Sequence, residues 1–194
     1  MGLLGFIYRS IKATAILWVT ILVLGLGAAG AATVYDSTLG DGDGFGPEPM
    51  DEEQVEDEVR AQVNEIRTNS SLIVLERDER LKQQSEAHTE RMAENEMLSH
   101  QIGRSTADGR LGQANCGYGS ENIVQSWANE EIAIPGQENI YTGDEVDLAE
   151  ALVASWMSSE GHRDNIMTSE WRSTAVSVEI NEDDEVYATQ MFCE

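Results

Sequence analysis

The sequence predicts an exported α+β domain behind an apolar amino-terminal segment. Apolar residues recur at helical spacing early in the domain and again from Leu148 to Trp156. The period then falls to two near the carboxyl end, where Val176, Val178 and Ile180 alternate with Ser177 and Glu179. Helices first and few strands last leave too little sheet for a barrel, so the elements must pack as layers.

Residues 1–12 read as a short cytoplasmic tail. Arg9 and Lys12 stand ahead of 22 uncharged positions, 13–34, long enough to cross a hydrocarbon layer of roughly 30 Å as a helix. The segment is a transmembrane anchor or a signal peptide, because Ala29-Gly30-Ala31 also has the small-x-small form of a cleavage site. Both readings place the domain outside the cell, held at the membrane in one case and secreted in the other. Residues 35–52 read as an acidic linker, with Gly40, Gly42, Gly44, Gly46, Pro47 and Pro49 and no hydrophobic period.

The domain proper is expected over 53–194. Val55, Val59, Val63 and Ile66 make one apolar stripe on a first helix, which breaks at Asn69-Ser70-Ser71. A second helix is expected over about Asp78 to Leu98, with Leu81, Ser85, His88 and Met92 on its inner face. His88 there reads as a packed, hydrogen-bonded core histidine. Ser99 to Gly119 reads as irregular, a length uncommon in a compact domain unless it builds a site or is pinned by a crosslink. A third helix carries Leu148, Leu152, Val153 and Trp156, with Thr142 and Glu145 at capping-box spacing, and ends near Ser158. A hairpin closes the chain, its strands joined by Asn181-Glu182-Asp183-Asp184.

Charge excludes some functions. The chain carries 36 Asp and Glu against 12 Lys and Arg, a formal net charge of -24, and only Lys12 and Lys82 are lysines. Such a surface repels nucleic acid and anionic headgroups, and fits a protein kept soluble in concentrated salt. Cys116 and Cys193 are the only cysteines, and outside the membrane such a pair favours a disulfide.

The chemistry-bearing residues fall in two strings. One runs from Ser99-His100 through the glycine-rich loop to Glu121-Asn122-Ile123, and the other is Ser159-Glu160-Gly161-His162-Arg163-Asp164-Asn165-Ile166. Two imidazoles and a carboxylate can hold a divalent metal such as zinc with an open fourth position, or act as base and acid around a water. Spacing alone separates neither. No His-Glu-x-x-His or Gly-x-Ser-x-Gly string is present.

These residues, with Val63-Asn64-Glu65-Ile66-Arg67, Ala87-His88, Trp156-Met157-Ser158 and Tyr187-Ala188-Thr189-Gln190-Met191-Phe192, resemble the CAP superfamily in its compact prokaryotic form. This is the domain of cysteine-rich secretory proteins, antigen 5 and pathogenesis-related 1 proteins, also called SCP. The acid-rich composition adds the expectation of a halophilic archaeal source. The resemblance implies an α-β-α sandwich with a central antiparallel sheet and a cleft that binds a divalent cation, often zinc, in some members. It implies His100, Glu121 and His162 as the cleft residues and His88 as accessory. Ser120 stands where the family has Gly, and Glu160 where it has Pro. Ser159 and Glu160 are the nearest candidates for the family's second cleft glutamate. The functions it implies are a binder of cations or of small or lipidic ligands, a metal-assisted hydrolase, or a cell-surface interaction domain.

Overall fold

A computed structural model describes residues 49–194. The tail 1–12, the apolar segment 13–34 and the linker through residue 48 lie outside the described residues. Among the described residues no helix is long and apolar enough to cross a membrane.

In chain order the elements are α1 (Glu52–Asn69), β1 (Glu76–Arg77), α2 (Glu79–Glu94), α3 (Ala107–Gln113), β2 (Gly119–Trp127), β3 (Glu131–Ile132), β4 (Ile140–Tyr141), α4 (Glu145–Ser158), α5 (Glu160–Met167), β5 (Ser173–Ile180) and β6 (Glu185–Cys193). The main sheet has the order β1-β5-β6-β2, and β3 and β4 form a small separate ribbon. β6 pairs antiparallel with both β5 and β2, whereas β1 runs parallel to β5. The sheet expected to be antiparallel is therefore mixed at one edge.

Local sequence explains the helices. The Asp51 carboxylate caps α1 by accepting from the backbone N–H of Glu53 and Gln54, and Val55, Val59 and Val63 bury its inner face. Asp78 caps α2 in the same way, and Leu81, Ser85, His88 and Met92 point inward as expected. α2 stops at Glu94 rather than Leu98. Glu96 adopts a left-handed φ of 48° and the Met97 N–H returns to the Met92 carbonyl, a Schellman ending built without glycine.

Three further expectations are corrected. The N-cap of α4 is Asp144, which accepts from Asp147 N–H at 2.9 Å. The buried Thr142 hydroxyl instead donates to the Trp127 carbonyl at 2.8 Å and accepts from Glu130 N–H, tying the end of β2 to β4. The loop expected to be irregular contains α3, capped by Thr106, and leads into β2, a nine-residue strand. Past α4 the chain does not run into a loop: Ser159 alone separates it from α5.

The layers are those of an α-β-α sandwich. α1 and α4 pack Val59, Leu152 and Trp156 against Val178, Ala188 and Phe192 on one face. α2 and α3 pack Leu81 and Leu111 against Ala175 and Met191 on the other. Cys116 and Cys193 form the expected disulfide, which joins the loop before β2 to the end of β6. Gly119 lies against this link, where an added Cβ would collide with the Phe192 carbonyl and the Cys116 sulfur.

Three buried charged residues brace the packing around α1. Arg67 is fully buried and donates to the carbonyls of Ile73, Ile166 and Thr168, stapling α1 to the end of α5. Glu56 pairs with the buried Lys82 and accepts from Val178 N–H, so it also covers the exposed edge of β5. Burial raises the Glu56 carboxyl above its ordinary pKa, against the lowering effect of Lys82.

Candidate functional site

The site is built around Glu121, whose side chain projects from the edge strand β2 toward α2. The carboxylate is almost wholly buried, and Arg110 from α3 grips it with two hydrogen bonds, Nε at 2.8 Å and Nη2 at 2.6 Å. A buried bidentate pair of this kind holds both partners in one geometry. His100, on the loop after α2, places Nδ1 2.9 Å from the same carboxylate, and its side chain is 50% exposed. The Arg110 guanidinium also donates to the His100 carbonyl, so one side chain fixes both residues. Burial would raise the Glu121 carboxyl, but the hydrogen bonds from His100 and Arg110 outweigh it and hold the pKa below its ordinary value.

His162 reaches the same edge from the opposite layer. It lies within α5, whose position is set by Asn122 of β2: the Asn122 amide donates to the His162 carbonyl at 3.0 Å and its oxygen accepts from Asn165 at 2.8 Å. Burial lowers the His162 pKa, and the charge of nearby His100 adds to the effect. Both imidazoles thus border the edge of β2 from either side.

The expected residues divide accordingly. Glu121 and His100 are in direct contact, and His162 makes no hydrogen bond to either. Among the described residues no three of His, Cys, Asp and Glu gather into a metal-holding group. Arg110 hydrogen-bonds both Glu121 oxygens, the ones this carboxylate would offer a cation. His88 is wholly buried, with Nε2 3.8 Å from the Glu121 carboxylate, and neither ring nitrogen makes a well-formed hydrogen bond. It is a core residue as expected, with the Ser99 backbone as its one loose hydrogen-bonding contact. Burial drives its pKa down to about 4 despite the opposing pull of Glu121. Ser159 joins two helices without capping α5 through its side chain, and Glu160 is exposed in the first turn of α5.

Sequence reasoning missed Arg110. The signal that could have found it is the requirement of a buried carboxylate for a cation, with Arg104 and Arg110 the only bases in the loop leading to Glu121.

A three-layer α-β-α domain with a Glu-Asn-Ile edge strand flanked by histidines from two layers is a CAP-type domain. The chain belongs to the cysteine-rich secretory protein family, whose model matches residues 60–192. Solved structures agree on the fold. An outer surface protein of Borrelia burgdorferi aligns with a TM-score of 0.60 at 14% identity, over 77% of this chain and 98% of its own. An extracellular protein with an SCP domain from Bacillus anthracis aligns with a TM-score of 0.54 at 22% identity, over 74% of this chain and 41% of its own. No curated protein matches the chain.

Proposed function

We propose that the protein is an extracellular binding domain whose cleft takes a divalent cation between His100 and His162. The observation that carries this reading is the 2.9 Å contact between His100 Nδ1 and Glu121. A carboxylate on one ring nitrogen fixes the tautomer and leaves Nε2 as a ligand, the arrangement common around protein-bound zinc. Glu121 then acts through His100 and not as a ligand, with Arg110 anchoring it. Two neutral imidazoles with water completing the shell suit zinc, which would supply a bridge to an oxygen or nitrogen donor on a small or lipidic ligand. Placement outside the cell is supported by the apolar segment 13–34, the disulfide, and the outer-surface and extracellular descriptions of the two relatives.

The test is zinc titration calorimetry on the chelator-treated protein in high salt, repeated with His100→Ala, His162→Ala and Glu121→Gln. One saturable site is expected, lost in both histidine variants and weakened about 10- to 100-fold in Glu121→Gln. Affinity should fall with pH as the imidazoles take up protons. Isotherms that coincide for the native protein and the histidine variants would overturn the reading.

A further inference from the structure

We propose that Asn69 carries an N-linked oligosaccharide, which covers an exposed apolar corner at the far end of α1. The inference rests on the extracellular placement proposed above and stands apart from the cation site.

Asn69-Ser70-Ser71 is the one Asn-x-Ser/Thr string in the sequence, and its middle residue is not proline. Asn69 is the last residue of α1 and Ser70 its C-cap, so the string forms the turn that ends the helix. Ser71 takes a left-handed φ of 63°, and its N–H returns to the Thr68 carbonyl. All three residues are exposed. Asn64, earlier on the same helix, shows how an asparagine is used structurally here: its amide donates to the Leu75 carbonyl and its oxygen accepts from the Leu75 N–H. Asn69, exposed at the helix end, is not engaged in this way among the described residues.

Reach and timing both suit the reaction. α1 has 18 residues and begins at Glu52, just after the linker, so Asn69 stands about 25 Å along the helix from the point where the chain enters the domain. Arg67, which ties this helix end to the rest of the domain, donates to carbonyls 99 and 101 residues further on. The turn is free of that tie while those residues are still to come. In the transfer, Asn69 Nδ2 bonds to C1 of an oligosaccharide activated on a lipid phosphate. The C1–O bond to the phosphate breaks, the lipid phosphate leaves with that electron pair, and one amide proton passes to a base of the transferase.

The neighbouring surface explains the placement. Thr68 to Leu75 is a run without charge on a chain of net charge -24. Within it Ile73 and Val74 are 49% and 54% exposed, and Arg67 holds the Ile73 carbonyl against the end of α1. The run leads straight into β1, an edge strand of the main sheet. An uncharged, β-prone segment such as Leu72-Ile73-Val74-Leu75 is one that folded proteins guard, above all beside a sheet edge. Carboxylates keep the rest of this surface hydrated, and at this corner a bulky, hydrated glycan takes their part.

The experiment takes the protein from the organism that encodes it, with cytoplasmic and extracellular fractions kept apart, and reads the tryptic peptide Thr68–Arg77 by mass spectrometry. That peptide should carry a mass increment of whole sugar residues on Asn69. The increment should be lost completely in Asn69→Gln and in Ser71→Ala, and kept in Ser70→Ala, whose position the motif leaves free. An unmodified peptide from protein recovered outside the cell would overturn the proposal on its own terms. Unmodified protein recovered only from the cytoplasm would overturn it through the extracellular reading instead. The shielding is read by sedimentation velocity, where Asn69→Gln should shift toward larger species and added Ile73→Ser with Val74→Ser should reverse the shift. An Asn69→Gln protein that stays monomeric would overturn that role of the glycan.

Discussion

Acid should unfold this protein in part through a single histidine. His88 has an ordinary pKa of 6.5 when the chain is unfolded and about 4 when it is folded, with no exposed surface. Because the folded value is the lower one, the unfolded state takes up a proton first as pH falls. Stability from the neutral ring is complete above about pH 6.5, declines by about 1.4 kcal/mol per pH unit below it, and is spent near pH 4. Between pH 7.5 and pH 5 the loss is about 2 kcal/mol, a large fraction of the stability of an ordinary domain. The assay is urea unfolding at fixed high salt across this range, for the native protein and for His88→Leu. Leucine removes two buried nitrogens that lack well-formed partners, so the variant should lie within about 1 kcal/mol of the native protein at pH 7.5. Its stability should then decline with acid by about 2 kcal/mol less. His162 titrates in both proteins, so the difference reports His88 together with its coupling to Glu121, 3.8 Å away. Equal losses in the two would refute the reasoning.

Removing Arg110 should be costly for the opposite reason. Arg110→Met strands the buried Glu121 charge, with an expected loss of about 3 to 5 kcal/mol by chemical denaturation, and Glu121→Gln in that background should restore part of it. The crosslink closes a separation of 77 residues, so Cys116→Ser with Cys193→Ser should cost about 4 kcal/mol in the chain-entropy model, read as a lowered melting midpoint. Salt should stabilise the native protein by screening its carboxylates, with a higher midpoint in about 3 M than in about 0.1 M KCl. Equal midpoints would remove the case for adaptation to salt.

The parts of the fold legible in the sequence are those where packing alone chose the residues. The valines of α1, the apolar face of α4 and the alternation of β5 all face one continuous core. β2 was not legible because its residues answer to the site as well. Glu121 and Asn122 are both buried on opposite faces, to hold Arg110 and α5, so neither face shows a clean apolar period. α3 is one short element among glycines, too brief for a helical stripe. α5 was hidden by Gly161, which reads as a stop but lies in the first turn of the helix after Ser159. Of the site, His100, Glu121 and His162 were visible as residue types at element ends. Arg110 was not, because its role depends on a pairing that only the folded loop creates.

The position of β6 has a consequence for timing. It comes after every other element in chain order, yet it occupies the middle of the sheet, between β5 and β2. β2 and β5 pair with β6 and not with each other. A chain emerging amino end first thus holds β2 without its partner until the last strand follows, whereas the carbonyls of Ile166 and Thr168, to which Arg67 donates, arrive before β5. Contacts of such long sequence separation make for slow, late assembly. Only the short β1–β5 pair can form without the strand Glu185–Cys193, so β2 joins the sheet last although it precedes β5 in the chain.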